Sequence, residues 1–503
     1  MIRRYASFDG GLMQQLPSHM LPEVFTPDAL NVEITPAGRL RLPRLGAERF
    51  RSSAVAGARI DGLWELRRAD GTWIYVLACA GSLYTMDAST TLATLGALTD
   101  TKRRWSAVTY GGRLLIFNGS DMPQSFKTEL ERLRDVEDAS LPVGWEAGNW
   151  PARVALLGAG EVEQLACWGL ARERSSVYFS EVKNPLVWNS LQSSTAGRVI
   201  VREEDGEEVV AVVDFAGLTL VMKETVTVGY FDLDPHAGTA AGMKVYPWGC
   251  ASADSLIRYE NGLAWWARWK GGHGPLTLSA VQDYADIAAE AMTWRIQPAL
   301  NEVSPSHLAL ISGYWNDALD CCRWFAPSRK SAKATLIFDY YPRRQARDET
   351  GRRFGAFHVG EFSAGMDVSC VLPLESEGAQ LVLAGDSQGY INRLHFGQTD
   401  LGVAIESRYV FPALQAAAPV RIVGFDALTA AGGGALEGGV SWDGSDFRAV
   451  GASLTPNRGD DRTCSAWPFG AGRHVEARLR HLGTDQVAEF EALLLEIDAM
   501  RNR

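Results

Sequence analysis

The chain has 503 residues and a mass of 54.9 kDa, which indicates two to four domains or one large repeat domain. A hydrophobic fraction of 46% and a charged fraction of 22% exclude a mostly disordered chain and a coiled coil. The formal net charge is −11. Proteins that grip phosphates usually carry a basic excess, so tight sequence-independent DNA binding is not expected.

The sequence also bears on membranes and on redox chemistry. No apolar run approaches the roughly 18 residues that a membrane helix needs, so membrane insertion is not expected. The first residues, MIRRYASFDGGLMQQ, lack the apolar core of a secretory signal. The seven cysteines are scattered and form no CxxC pair, which is typical of reduced structural thiols in a cytosol-made protein.

Residues 1–58 are predicted to form an extended arm, because prolines recur through them. Within the arm, NVEITPAGRLRLPRLG reads as a strand pair that turns at Gly38. This pair is placed to complete a blade with the other end of a propeller and so to close its ring.

Residues 59–396 repeat a pattern of strand, tight turn and strand, which predicts an all-β fold. Turn signals near positions 71, 111, 175, 217, 262, 316 and 377 recur at intervals of 40 to 64 residues. A sheet unit at such intervals is typical of a β-propeller, here of about six to seven blades. A β-solenoid and consecutive sandwiches remain as alternatives.

Two insertions and a second domain complete the predicted organisation. Residues 127–160 are charged and then rich in proline and glycine, and residues 281–306 carry a helical pattern with Ile287, Ala291 and Trp294 on one face. From residue 397 to 503 the composition shifts to that of a small C-terminal β-domain. Its closing segment, DQVAEFEALLLEIDAM, fits a helix or a terminal strand.

No motif in the chain predicts catalytic, cofactor-binding or metal-ligating residues. HExxH, P-loop, GxSxG and GxGxxG patterns are missing, and the eight histidines are dispersed. A propeller glycosidase needs two carboxyl groups across the sugar, and the sequence does not select a pair. The segment SWDGSDF, with Asp443 followed by Gly444, departs from the sialidase Asp-box and is read as a polar hairpin tip.

One basic cluster stands out in the segment YPRRQARDETGRRFG. It comprises Arg343, Arg344, Arg347, Arg352 and Arg353. These side chains are candidates for contact with a neighbouring subunit, another partner or DNA phosphates. The alternative is a solvated hairpin flanked by its own acidic residues.

Several segments together resemble the tail nozzle proteins of short-tailed bacteriophages, also called tail tubular protein B or DNA-stabilisation proteins. The opening is similar to the family's entry. The segments RLLIFNGSDMPQSF, SVYFSEVKNPLVWNS, LTLVMKETVTVGYF and GCASADSLIRYENGLAWWAR are similar to its blades. LAGDSQGYINRLHFGQTDLGVAIESRY, from Leu383, resembles the Gly-Tyr-Ile strand and the change of domain that follow. The matching positions of the opening are Gly10, Gly11, Asn31, Val32, Gly38, Arg44 and Gly46.

This resemblance implies a structural virion protein. It implies a homo-hexameric ring below the portal and adaptor proteins that extends the DNA channel and helps to retain and release the genome. Tail fibres or tail tip proteins and passing double-stranded DNA would be its partners. The protein would be assembled in the bacterial host cytoplasm and reside in the virion tail. No cofactor and no enzymatic activity are expected, and FEALLLEID would be a strand. The alternatives are a receptor- or glycan-binding propeller and a carbohydrate-active propeller enzyme.

Overall fold

The computed structural model describes most of the chain. The described residues are 2–68, 71–101, 103–158, 160–260, 262–280, 287–291, 293–347, 353–363, 365–376, 378–431, 436–450, 470–481, 483 and 487–499. They form an all-β protein with two parts, a β-propeller of seven blades and a large second sheet.

Blades 1 to 4 each consist of four antiparallel strands in chain order. Blade 1 comprises Ile60–Arg67, Trp73–Cys79, Ser82–Met86 and Leu92–Ala97. Blade 2 comprises Ser106–Tyr110, Arg113–Phe117, Gln124–Phe126 and Leu130–Arg132. Blade 3 comprises Arg153–Leu157, Gln164–Trp168, Ser176–Phe179 and Gly197–Ile200. Blade 4 comprises Val209–Phe215, Leu218–Lys223, Thr227–Asp234 and Thr239–Tyr246.

Blades 5 to 7 are less regular. Blade 5 comprises Gly249–Cys250, Ile257–Tyr259, Gly262–Trp269, Gly272–Ala280 and Ile287–Ala291. Blade 6 comprises Ser312–Asn316, Cys321–Pro327, Ala334–Arg347 and Arg353–Glu361. Blade 7 comprises Cys370–Ser376, Ala379–Gly385, Ile391–Leu394, Ala47–Arg49, Thr399–Asp400 and Val403–Ala404.

The first strands of neighbouring blades contact one another around a central axis. Between blades 4 and 5 this contact is made by the turn Ala253–Ser255 of blade 5. Separate apolar clusters fill six of the spaces between neighbouring blades, and the apolar residues between blades 5 and 6 belong to a larger cluster that continues into the second sheet. Between blades 2 and 3, for example, Phe117, Trp145 and Trp188 pack together. Because a single blade cannot bury both of its faces, each depends on its two neighbours.

The ring is closed by the N-terminal arm. Ala47–Arg49 pairs antiparallel with Ile391–Leu394 in blade 7, so strands from both ends of the chain share one blade. The hairpin predicted to turn at Gly38 is present, but it does not close the ring. Leu40–Leu42 pairs instead with Ala488–Ala499. The closing strand therefore lies a few residues after the predicted one.

The second sheet has ten strands and also joins both ends of the chain. Its arm strands are Ile2–Tyr5, Ala29–Leu30, Glu33–Ile34 and Leu40–Leu42. Its C-terminal strands are Ser407–Val410, Leu414–Ala431, Leu436–Trp442, Arg448–Ala449, Gly472–His481 and Ala488–Ala499. The ambiguous closing segment FEALLLEID is thus a strand. Outside the propeller and the second sheet, the arm strands Gly11–Leu12 and Phe25–Thr26 form a short parallel pair.

Helices are few and short. The 3-10 turns are Ser18–Met20, Leu133–Asp135, Gly160–Val162, Glu203–Asp205, Ala253–Ser255, Thr293–Ile296 and Pro305–Leu310, and the α-helix is Gln297–Asn301. In the described part of the chain, no helix is long and apolar enough to cross a membrane.

The structure corrects both predicted insertions. The helical pattern around Ile287 and Ala291 is a strand of blade 5, and Trp294 lies in a 3-10 turn with 48% of its surface exposed. Residues 127–160 contain the last strand of blade 2 and the first strand of blade 3. They also place Trp145 and Trp150 in the core. Residues 127–160 are therefore part of the propeller rather than an insertion into it, and their deletion would empty a core.

The turn signals located the blades well. Gly111 and Gly112 both have positive φ, as a two-residue type I′ turn requires. In six blades the predicted turn lies between the first and second strands, when Gly249–Cys250 and Ile257–Tyr259 of blade 5, which both pair with Gly262–Trp269, are counted as one interrupted first strand. In blade 3 the signal near Ser175 marks the second connection, because the first strand lies in the segment taken as an insertion.

We expect acid to weaken the contact between blade 6 and the second sheet through His358. This residue is 1% exposed, and neither ring nitrogen has a hydrogen-bond partner among the described residues. Its ring packs beside Tyr341 and Tyr409. Burial lowers the pKa of His358 from 6.5 to about 3. As the pH falls, this histidine therefore takes up a proton in the unfolded chain before it does so in the folded protein. The free energy of unfolding falls as the pH drops from 6.5 toward 3.

The free energy of unfolding measured by denaturant titration should show this loss. The His358→Phe variant should lack a component of roughly 1.4 kcal/mol per pH unit below pH 6.5. His236→Gln, at an exposed histidine, should behave as the unmodified protein. An identical pH dependence in all three proteins would contradict the assignment.

Candidate functional site

Charged side chains fill one end of the propeller axis, where the first strands of the blades begin. Arg104 precedes blade 2, and Arg153 is the first residue of blade 3. Asp254 lies in the turn Ala253–Ser255 of blade 5, just before the strand Ile257–Tyr259. Arg153 Nη1 donates to both carboxylate oxygens of Asp254 at 3.1 Å, and Arg104 Nη1 donates to Oδ2 at 3.3 Å. We call these three residues the axial cluster.

Backbone contacts tie the axial cluster to two further blades. Arg104 also donates to the carbonyl oxygens of Leu310 and Ile311, which enter blade 6. The amide of Trp105 donates to the carbonyl oxygen of Asp61 in blade 1 at 2.9 Å. Blades far apart in sequence are therefore joined across the axis.

The carboxyl groups near this end have pKa values shifted in opposite directions. Burial alone would raise the pKa of Asp254, but Arg153 and Arg104 outweigh it and the pKa is lowered. A third of the Asp254 side chain is still exposed, although protein surrounds it closely. Burial raises the pKa of Asp61, and the neighbouring Arg59 opposes that rise only in part. The axial end thus holds one ionised and one more readily protonated carboxyl group.

A second polar centre lies where the arm meets blades 6 and 7. Arg44 donates to both oxygens of Asp400, at 3.0 and 2.6 Å, and both side chains are almost fully buried. Asn31 Oδ1 accepts from Arg44 Nε and from the amide of Glu361, while Asn31 Nδ2 donates to Glu406 O. The side chains of Arg44, Asp400 and Asn31 form what we call the junction.

The junction continues into a second buried arginine site. Arg323 donates to both oxygens of Asp339 at 2.6 Å and to Glu33 Oε1 at 2.8 Å. Glu33 is fully buried. Burial would raise its pKa, but the Arg323 guanidinium leads the effects that lower the pKa to about 2. Arg323 and Asp339 face each other in register on neighbouring strands of blade 6, so the sheet itself aligns this pair.

Glycines allow the backbones to approach closely at the junction. A Cβ atom on Gly46 would lie 2.1 Å from the carbonyl oxygen of Thr399, and one on Gly11 would lie 2.5 Å from the amide nitrogen of Phe357. Both distances are too short for any side chain. Gly11 and Gly46, two of the glycines that carry the sequence resemblance, are therefore required by packing between the arm and the propeller.

The predicted basic cluster lies on the hairpin formed by Ala334–Arg347 and Arg353–Glu361. Arg343 forms ion pairs with Glu260 and Asp320, and Arg344 donates to backbone carbonyls of the arm. Two of the five arginines are thus engaged within the chain. The side chains of Arg347 and Arg353, and all of Arg352, lie outside the described part of the structure. Their proposed contacts with partners stay predictions.

Sequence reasoning missed the axial cluster, Glu33, Arg323 and Asp339. A signal was present for the last two, because each is a single charge inside an apolar strand, in CCRWFAP and LIFDYY. Lone charges in two adjacent strands with this pattern indicate a buried pair. Asp443, read as a hairpin tip, does lie in a turn, with positive φ at Asp443 and Gly444.

We expect that breaking the buried ion pair of the junction is strongly destabilising. Replacing Asp400 with Asn leaves Arg44 buried without its countercharge and should lower the free energy of unfolding by about 3–5 kcal/mol. The double variant Arg44→Met, Asp400→Leu should recover much of the loss. Asp498→Asn breaks the exposed pair with Arg421 and should cost about 0–1 kcal/mol. Equal losses for Asp400→Asn and Asp498→Asn would contradict this ranking.

No known family model matches the chain, and no curated protein matches it. Solved structures are similar only at low identity. Virginiamycin B lyase from Staphylococcus aureus is 7% identical over 78% of this chain and 98% of its own, with a TM-score of 0.31. An exo-β-1,3-galactanase from Phanerochaete chrysosporium is 9% identical over 82% and 98%, with a TM-score of 0.28. Kluyveromyces lactis Hsv2 is 11% identical over 46% and 72%, with a TM-score of 0.26.

These comparisons correct one expectation from the sequence. We expected no enzymatic activity, but the similar solved structures include the galactanase and a further glycoside hydrolase. The exclusion of an enzyme is therefore withdrawn. Likeness at this level assigns no activity to the chain, and the propeller itself is established by the strand topology.

Proposed function

We propose that the chain is a structural subunit of a bacteriophage tail nozzle. Six copies would form a ring below the portal and adaptor proteins and extend the DNA channel. The ring would help to retain the packaged genome and release it, and would contact fibres or tail tip proteins. The proposal starts from the sequence resemblance, and the role it assigns to the chain is that of a subunit in a ring.

One observation carries the proposal. The opening that resembles the family, at residues 8–46, and the segment with the most telling resemblance, at residues 383–409, lie more than 300 residues apart in sequence but meet at the junction. Arg44 of the first binds Asp400 of the second, and Gly46 packs against Thr399. Residues that match the family at both ends therefore act together in one buried contact, which supports a shared architecture.

The axis and the charge also support this role. The axial cluster fills one end of the propeller axis, so a passing duplex would run beside the propellers, along the centre of a ring. The net charge of −11 would keep the walls of such a channel from gripping DNA.

Solution mass and electron-microscopy class averages, with and without the adaptor protein, test the proposal. We expect a six-fold ring with a central channel. The variant Arg347→Glu, Arg353→Glu should reduce ring formation while the chain stays folded, because like charges would then meet at the subunit contact. Lys127→Glu, an exposed change on blade 2, is the control. A 54.9 kDa monomer that never enters a ring would overturn the proposal.

A second candidate is a carbohydrate-active propeller, which the carboxyl groups at the axial end favour. Asp254 is held ionised by two arginines, while the raised pKa of Asp61 suits a proton donor. The Arg104 guanidinium acts to lower the pKa of both carboxyl groups, so they lie at one end of the axis. A glycosidase needs such a division of roles between two carboxyl groups.

Hydrolysis of a panel of aryl glycosides tests this candidate. Asp61→Asn and Asp254→Asn should each lower kcat by about 100-fold or more. The rate should fall as the pH rises above the raised pKa of Asp61, because a general acid must be protonated. Thermal unfolding of each variant controls for lost structure. Absence of hydrolysis, or hydrolysis that survives both changes, would eliminate the candidate.

A further inference from the structure

A second feature of the propeller is an open recess of about 380 Å³. It is lined by the first strands of blades 5, 6 and 7 and by the turns that follow them. Among its lining residues are Arg258, Trp315, Asp317, Leu374, Glu375 and Gln380. Its volume falls within the roughly 300–1,000 Å³ typical of small-molecule sites.

The recess is separate from the axial cluster. The strands that line it begin near that cluster, at Ile257, Ser312 and Cys370, and run away from it. A strand advances about 3.3 Å per residue. Glu375, five residues along its strand, therefore lies roughly 16 Å further along the axis than Cys370. The recess therefore extends from Leu256 and Ile257, close to Asp254, to Glu375, and none of the three charged residues of the cluster lines it.

Several of the recess side chains are held in place by their neighbours. The Gln380 amide group donates to Trp315 O at 2.8 Å and to Asp317 Oδ2 at 3.2 Å, and it accepts from Asp317 N at 3.2 Å. Arg258 donates to the carbonyl oxygen of Asp214 at 2.8 Å. These contacts fix the polar groups before any ligand arrives, which lowers the entropic cost of binding.

The aromatic side chain is fixed as well. The Trp315 ring stacks on Tyr259, with ring centroids 5.6 Å apart and planes inclined by 16°. Trp315 is half-buried and also lines the recess. One side of the indole is therefore supported by Tyr259, while part of the ring remains available to a ligand. Leu374 adds a second apolar surface to the recess.

The combination of groups identifies the chemistry of the ligand. Asp317 and Glu375 supply carboxylate oxygens that accept hydrogen bonds, Arg258 supplies donors, and Trp315 supplies a flat apolar surface. The two acids and one base give a local charge of −1, which disfavours phosphates and other anions. A pyranose ring matches all three features, since it has hydroxyl groups at its edge and C–H groups on its faces.

We propose that this recess binds a neutral hexose unit of a glycan. The hexose would lie against the indole of Trp315, with its hydroxyl groups donating to Asp317 and Glu375 and accepting from Arg258. This recognition function is independent of ring assembly, and it needs no chemistry at the axial cluster.

Saturation-transfer NMR and titration of tryptophan fluorescence with maltose, lactose and N,N′-diacetylchitobiose test the proposal on the full chain. At least one of these probes should bind saturably at millimolar concentration. Glu375→Gln and Asp317→Asn should each weaken its binding by about 10-fold, as expected for loss of a charged acceptor. Trp315→Leu should abolish binding, while Trp315→Phe should retain part of it because the aromatic surface remains.

The exposed Glu129→Gln on blade 2 is the matched control and should bind as the unmodified protein does. Circular dichroism of each variant verifies that the chain is folded. Because Glu375 is exposed, its substitution tests the recess even where a Trp315 variant fails to fold. The proposal is overturned if none of the three sugars binds saturably up to about 50 mM, a concentration on the order of ten times a weak, millimolar dissociation constant. It is also overturned if binding survives Glu375→Gln, Asp317→Asn and Trp315→Leu unchanged.

Discussion

Buried pairing between arginine and carboxylate groups is the constraint on which this architecture depends. Arg44 with Asp400, and Arg323 with Asp339 and Glu33, are removed from water almost completely. Charges so placed are tolerable only when every partner is in position, because a single unpaired member is strongly destabilising. The arm therefore has one acceptable position against blades 6 and 7, and a shifted register would leave charges buried alone.

That single position sets the rest of the fold. With residues 31–44 fixed at the junction, Ala47–Arg49 falls beside Ile391–Leu394 and completes blade 7. The preceding strands Glu33–Ile34 and Leu40–Leu42 join the second sheet, where Leu40–Leu42 pairs with Ala488–Ala499. The propeller and the second sheet thus share one connecting segment, the arm, and they also share one continuous apolar cluster. The ion pairs act less as a source of net stability than as a device that selects one arrangement.

The sequence predicted the repeating part of this structure far better than its polar centres. Turns such as Gly111–Gly112 obey local rules, because two positive φ angles leave few residue choices. The strand at 287–291 was misread, because alanine-rich segments satisfy helical and strand patterns equally. Arg104, Arg153 and Asp254 come from three blades and approach one another only when the ring closes. Whether these three side chains come into contact depends on the geometry of the blades, which no local sequence pattern encodes.

The shared connecting segment also has a consequence for the order of folding. During synthesis the arm leaves the ribosome before the blades, whereas its partners at 391–400 and 407–499 follow blades 1 to 6. Blades 1 to 6 can pair from neighbouring residues as they appear, whereas the arm must stay undocked until almost the whole chain exists. The contacts that fix the architecture are therefore the most distant in sequence, and we infer that their formation is the slow step of folding. Until then Phe8, Phe25 and Ile34, all buried in the native protein, are exposed, and the nascent chain is most prone to misassembly.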